Sequence, residues 1–231
     1  MSDEPERSPG GDEIYRYSES REFEIAIGDL DLIDAVSEHI ETHIGEIAFV
    51  LHPIISEHAH IDVHVVEATE ERPWHTLVTS GMSARPMTPP DDLGPEHSYL
   101  ELTMALPPDW PIRHRDRRHY WPFQFLQFIG TLPHEYDSWV WLGHTISNGP
   151  DSEPLAEDTE FCGALLWYPE HAGPDFSSLA HGDHTIFFLG VYPLFMAEMD
   201  FKLEHGTEAL TDRLEAAAIT ELLNPTRPTI A

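Results

Sequence analysis

Thr185-Ile-Phe-Phe-Leu-Gly-Val-Tyr-Pro-Leu-Phe-Met-Ala-Glu-Met-Asp-Phe-Lys-Leu-Glu-His-Gly206 changes its hydrophobic period within a single run of residues. Thr185 to Val191 is β-branched and aromatic, which predicts a strand. Beyond Pro193, the apolar residues Leu194, Phe195, Met199 and Leu203 recur at helical spacing, and Gly206 stands where a helix terminator belongs. The stretch therefore reads as a strand leading through Pro193 into a helix from about Leu194 to His205. Leu194, Phe195, Met199 and Leu203 should face the core, with Glu198, Lys202 and Glu204 near the polar margin. A last helix follows at about Glu208 to Ala217.

Working outward, strand signals precede it at Phe161–Tyr168 and Trp139–Ile146, and a helix signal at Trp121–Gly130, where Phe125, Phe128 and Ile129 share helical spacing and Pro122 falls in the first turn. Further strands are predicted at Ile47–Leu51, Ile61–Glu67, His75–Ser80 and Tyr99–Leu106, bounded by Pro or Gly clusters such as Pro89-Pro90 and Pro107-Pro108. Leu32, Ile33, Val36, Ile40 and Ile44, stopped by Gly45, predict an amphipathic helix from Asp31. Helices and strands mix without strict βαβ alternation, so the fold class is α+β: a mixed β-sheet with flanking helices in one domain.

A chain of 231 residues can bury one large core without staples, and its lone Cys162 cannot form an internal disulfide. Residues 1–20 carry Pro, Gly, Ser and acids without a hydrophobic period, which predicts a disordered acidic tail ahead of a domain spanning 21–231. The N-terminus is acidic where a signal peptide is basic, and no apolar run reaches membrane-spanning length, so the expected location is the cytoplasm, with no membrane partner. Asp and Glu total 42 against 12 Lys plus Arg, a formal net charge of -30, and Lys202 is the only lysine. Such a surface repels phosphate backbones, which argues against a nucleic-acid partner. It also suits a halophilic host, because self-repulsion is screened only when salt is high. The melting temperature should therefore rise between about 0.1 M and about 2 M potassium chloride; equal values would refute a halophilic adaptation.

Four phrases carry a family resemblance: His75-Thr-Leu-Val-Thr-Ser-Gly-Met-Ser83, Leu106-Pro-Pro-Asp-Trp-Pro111, Gly143-His-Thr-Ile-Ser-Asn-Gly149 and Tyr192-Pro-Leu-Phe-Met-Ala-Glu-Met-Asp-Phe-Lys-Leu-Glu-His-Gly206, with Phe161-Cys-Gly-Ala-Leu-Leu166 between the last two. In this order they resemble the suppressor of fused domain, from about Ile47 to Pro228. The resemblance implies a single-domain, non-catalytic protein-binding module without a cofactor, one that sequesters a toxin, as an immunity protein does, or a regulatory protein. It further implies that Asp137 and His144, beside Trp139 and Trp141, line a groove that holds a partner peptide. The partner would be a protein or peptide, and the acidic surface would suit a basic toxin.

The residues themselves offer rivals. His58, His60, Asp62 and His64 alternate with Ile61, Val63 and Val65, so a strand would place four potential ligands on one face. Imidazoles with a carboxylate could bind a divalent metal, the alternative being a metal-dependent hydrolase. The other reading of this face is the solvated side of a half-buried strand. His134-Glu-Tyr-Asp-Ser138 lacks the second histidine of a zinc-protease motif. Cys162, within Phe161–Leu166, is expected to be buried rather than nucleophilic. The basic run Arg113–Arg118 is expected to be a salt-bridged loop.

Overall fold

The computed structural model describes residues 6–17, 19–53 and 56–231. Its strands are β1 (Ile47–Leu51), β2 (Asp62–Val66), β3 (His75–Ser80), β4 (Leu100–Leu106), β5 (Thr145–Ser147), β6 (Phe161–Trp167), β7 (Ser178–His181) and β8 (His184–Phe195). The helices are α1 (Leu30–His43), α2 (Arg117–Glu135), α3 (Met196–His205) and α4 (Thr207–Ala216). One mixed sheet runs in the order β1-β2-β3-β4-β8-β6-β5, with β7 beside β8. β1 to β4 form an antiparallel meander, and β4 meets β8 in parallel. β8 is the hub, because its twelve residues pair successively with β7, β4 and β6.

Alternation along β8 sorts its side chains into two layers. Leu189 and Val191 join the layer under α2, together with Leu102, Met104, Phe123, Leu126 and Ile129. Ile186 and Phe188 pack with Leu32, Val36 and Ile40 of α1 on the opposite face, and Tyr192 and Leu194 pack with Met199, Leu210 and Leu214 of α3 and α4. The α1 spacing is realised as read, with the Asp29 carboxylate accepting from the Asp31 and Leu32 N–H groups as N-cap.

Three sequence expectations are corrected. Pro193 does not end its strand, and β8 continues to Phe195. The β4 pairing stops at Gly190 while β6 still pairs with Pro193 through Ala164, so β8 is bordered there by one strand, where proline is tolerated. On α3, Glu198 and Lys202 are buried while Leu203 is exposed. Each buried charge has a partner: Glu198 meets Arg227 and Lys202 Nζ lies 3.0 Å from Asp12. Finally, α2 starts earlier and ends later than its apolar period suggested; its start is set by the Asp116 side chain, which caps it by accepting from the Arg118 N–H.

Among the described residues, no helix is long and apolar enough to cross a membrane. Cys162 is buried, and burial raises its thiol pKa, as expected for a core cysteine. Arg113 pairs with Glu67 at 2.6 Å from the loop, whereas Arg117 and Arg118 open α2, where Arg118 pairs with the capping Asp116 at 2.7 Å, so the salt bridges expected of this run are present but only its first half is loop.

Candidate functional site

The chain reverses direction after α2. Asp137 takes a left-handed conformation (φ 46°), and the Ser138 N–H donates to Pro133 O. A strand from Trp139 was expected, but only Thr145–Ser147 pairs with β6. Residues 141–144 instead form a turn: Gly143 has φ 84°, its N–H donates to Leu166 O, and the His144 N–H donates to Trp141 O. The backbone that a strand would extend is thereby folded into a corner, with β5 leaving it.

This corner splits the four residues expected to bind a partner. Trp139 and His144 come together with ring centroids 4.6 Å apart, edge to face. His144 Nδ1 accepts from the Trp141 N–H, which leaves Nε2 protonated in the neutral ring. Burial depresses the pKa of His144 to about 4, and the nearby Lys202 charge adds to the depression. The Trp139 indole Nε1 is buried without a hydrogen-bond partner. Asp137 is exposed at the rim, 3.3 Å from Arg21. Trp141 packs on His97 (4.8 Å) and Phe187 (5.4 Å), and the same His97 ring lies 6.4 Å from Trp139.

Trp139 and His144 wall a cleft of about 1450 Å³, to which Leu93, Phe128, Leu142 and Lys202 also contribute. The other wall is the N-terminal segment. Residues 1–5 and 18 of the expected tail lie outside the described residues, but residues 6–17 make specific contacts. Arg7 and Glu13 form an antiparallel bridge, closed by Ile14 N–H to Glu6 O and Ser8 N–H to Asp12 O, each 2.8 Å. Gly10 N–H donates to Leu203 O at 2.8 Å, and Asp12 accepts from Lys202 Nζ (3.0 Å) and the Thr207 hydroxyl (2.9 Å). Tyr15 lies 6.2 Å from the Trp139 ring and 5.7 Å from His144, and Tyr17 stacks on Tyr136 at 4.9 Å. The expectation of disorder rested on the missing hydrophobic period; two tyrosines and one aspartate hold the segment without any period.

The four-residue ligand face expected at His58–His64 is corrected. β2 begins only at Asp62, and His58 sits before it with φ 63°, off the strand alternation. His64 Nε2 instead lies 2.8 Å from Ser80 Oγ, and burial lowers its pKa to about 4. Nor is the face solvated: His58, Asp62 and His64 are buried. The donor atoms that do converge are those of His52, His60 and Asp62, all within 4.8 Å of one another. The β1–β2 register pairs Leu51 with Val63, which brings His52 beside Asp62, a cross-strand neighbour that alternation within one strand cannot reveal. Asp62 Oδ1 lies 2.8 Å from His52 Nδ1 and 3.0 Å from His60 Nε2, and Ser56 Oγ lies 2.6 Å from His60 Nδ1.

The histidines also predict a pH response. Besides His64 and His144, burial lowers the pKa of His39, His75 and His134. The unfolded chain takes up these protons near pH 6.5, whereas in the folded chain His64 and His144 resist until about pH 4. Stability should therefore be present above about pH 6.5 and fall between there and about pH 4, by on the order of 3 kcal/mol for each of those two histidines. Glu101, whose pKa burial raises, offsets part of this. Urea unfolding between pH 7 and pH 4.5 checks it, and a flat profile would contradict the neutral buried imidazoles.

The model of the family described as suppressor of fused protein (SUFU) matches residues 57–228. No curated protein matches the chain significantly. Among solved structures, the chain is similar to the putative SUFU homolog from Neisseria gonorrhoeae, at 18% identity and TM-score 0.66, covering 88% of this chain and 98% of that one. It is also similar to Sufu in the Sufu–Fu complex, at 12% identity and TM-score 0.60, covering 86% of this chain and 92% of that one. Against Drosophila Suppressor of Fused the values are 13% and 0.58, covering 86% of this chain and 51% of that one. These likenesses bear out the mixed sheet with flanking helices as the shared fold.

Proposed function

The chain belongs to the suppressor of fused family, and on that premise we propose that it is a non-catalytic protein-binding module whose partner enters the cleft walled by Trp139 and His144. One observation carries this reading: an aromatic pair, Trp139 and His144 edge to face at 4.6 Å, stands on a cleft of about 1450 Å³. Aromatic anchors on a cleft are what a peptide's side chains require. A family relative solved in the Sufu–Fu complex supports a protein partner. The buried thiol of Cys162, with its raised pKa, is not an activated nucleophile. The proposed role is sequestration in the cytoplasm of a toxin, in the manner of an immunity protein, or of a regulator. The net charge of -30 favours encounter with a partner that is basic overall.

Replacing His144 by alanine tests the reading. The variant loses the bond from the Trp141 N–H, worth about 1 kcal/mol of stability, but keeps the Gly143–Leu166 bond and β5. Partner affinity should fall about 5- to 150-fold as one buried polar contact is lost. Proteins captured from host lysate at native salt by wild type and variant, side by side, give the comparison. Equal capture of the same partner by a folded variant would refute the groove.

A further inference from the structure

We infer that the cleft selects a peptide with an aspartate three residues before a tyrosine, and that residues 6–17 are a resident, displaceable copy of that ligand. The inference rests on the cleft being the partner groove, and it names the chemistry the groove reads.

The contacts of the N-terminal segment are those of a bound peptide. Asp12 supplies a carboxylate to Lys202 Nζ at 3.0 Å and to the Thr207 hydroxyl at 2.9 Å. Lys202 is 5% exposed and is the only lysine of a chain with 42 acids, so its burial needs one well-placed carboxylate. Three residues on, Tyr15 reaches both Trp139 and His144, and Tyr17 adds a stacking contact with Tyr136. Arg21, beyond the segment, pairs with Asp137, which stays exposed. Two of the four residues expected to meet a partner, Trp139 and His144, are thus already met by the segment.

None of the segment joins a named strand of the sheet, and it lies outside the family match at 57–228. Its internal bonds, Arg7 to Glu13 and Arg16 to Glu6, close it as a self-contained loop. The connection to α1 carries exposed Phe23, Ile25 and Ile27 and is tied to the domain through its backbone, with Arg21 N–H donating to Glu135 O, Ala26 N–H to Ser56 O and His58 N–H to Glu24 O. Its latch is a backbone contact: a Cβ at Gly10 would fall 2.2 Å from the Gly206 nitrogen, so only glycine fits there. The fold thus holds a face carrying Lys202, Trp139 and His144, a latch and a segment that covers that face as one wall of the cleft, and the segment spells out the ligand: acidic residue, two spacers, tyrosine, one spacer, a second aromatic.

Gly10→Val in the full chain should release the segment without altering any groove side chain. The probe is a fluorescein-labelled synthetic peptide with the sequence of residues 10–17, Gly-Gly-Asp-Glu-Ile-Tyr-Arg-Tyr, read by anisotropy at high salt. In the wild type the resident segment already holds the Lys202, Trp139 and His144 contacts, so the peptide should bind the Gly10→Val chain at least about tenfold more tightly. A second released chain, Asp12→Ala with Tyr15→Ala, should behave alike. The change Asp12→Asn or Tyr15→Ala within the peptide should weaken its binding to either released chain at least about tenfold. Equal binding to wild-type and released chains, no binding to the released chains, or indifference to the peptide's aspartate would each overturn the inference. These outcomes are independent of lysate capture by the His144→Ala chain, so failure of the partner reading and failure of the ligand chemistry can be told apart.

Discussion

Replacing Arg227 by alanine should destabilise the protein by about 3 to 5 kcal/mol, the loss typical when one member of a buried ion pair is removed. The Arg227 side chain is 6% exposed and that of Glu198 is 0% exposed, and the two meet as a bidentate pair, with Nη2 2.7 Å from Glu198 Oε2. The same guanidinium donates to Pro193 O at 2.8 Å and lies over the Phe195 ring at 4.6 Å. Glu198 in turn accepts from the Phe195 N–H at 3.0 Å, closing the first turn of α3, and from the Ile230 N–H at 3.1 Å. Without the arginine, the two N–H groups are all that face a buried carboxylate, and the junction between β8 and α3 loses its clamp. Arg227→Lys restores charge but not the planar fork, so it should recover only part of the loss. Urea unfolding of the three proteins decides it; a loss below about 1 kcal/mol for the alanine variant would mean that the pair does not hold the junction.

Glu101→Ala should cost about 3 kcal/mol or more, for a different reason. Glu101 is fully buried on β4 and accepts four hydrogen bonds: from the Thr79 hydroxyl (2.5 Å), the Gly81 N–H (2.9 Å), and the Ser83 N–H and hydroxyl (2.9 and 2.6 Å). Every partner is a donor, so the carboxylate is the acceptor around which residues 79–83 are wrapped. Alanine leaves these donors buried without it, at about 1 to 3 kcal/mol for each that finds no other partner. The loop cannot relax easily, because Gly81 sits at φ 109° and a Cβ there would fall 1.9 Å from His60 O. Glu101→Gln keeps one acceptor oxygen and should lose less. Thermal melts of both variants check the order; an alanine variant as stable as wild type would show that the loop is held by its own backbone.

Each site has one partner inside a phrase that carries the family resemblance, residues 79–83 in one case and Glu198 in the other, and one partner outside it, and both show where the sequence stops being legible. Within His75–Ser83, the strand was readable from alternating β-branched residues, whereas Ser-Gly-Met-Ser read only as a turn. Its acceptor, Glu101, lies on the next strand and looks from sequence like any surface glutamate of an acidic chain. Glu198 and Lys202 misled in the same way. Their spacing put them at a polar margin, and only partners 29 and 190 residues distant in sequence, Arg227 and Asp12, make burial affordable.

What the sequence by itself determined is local: the period of α1, β1, β3 and β6, the Gly206 stop, and the order of phrases that marks the family. Those signals depend on spacings of two to four residues, which backbone geometry alone enforces. What only the tertiary structure decided is which chemistry meets. His52 reaches Asp62 through the β1–β2 register, Trp139 and His144 separate from Trp141 at a turn, and an N-terminal segment without hydrophobic period lies across them. Such meetings are fixed by strand register and by pairing across long sequence separations, and composition and periodicity contain no record of either.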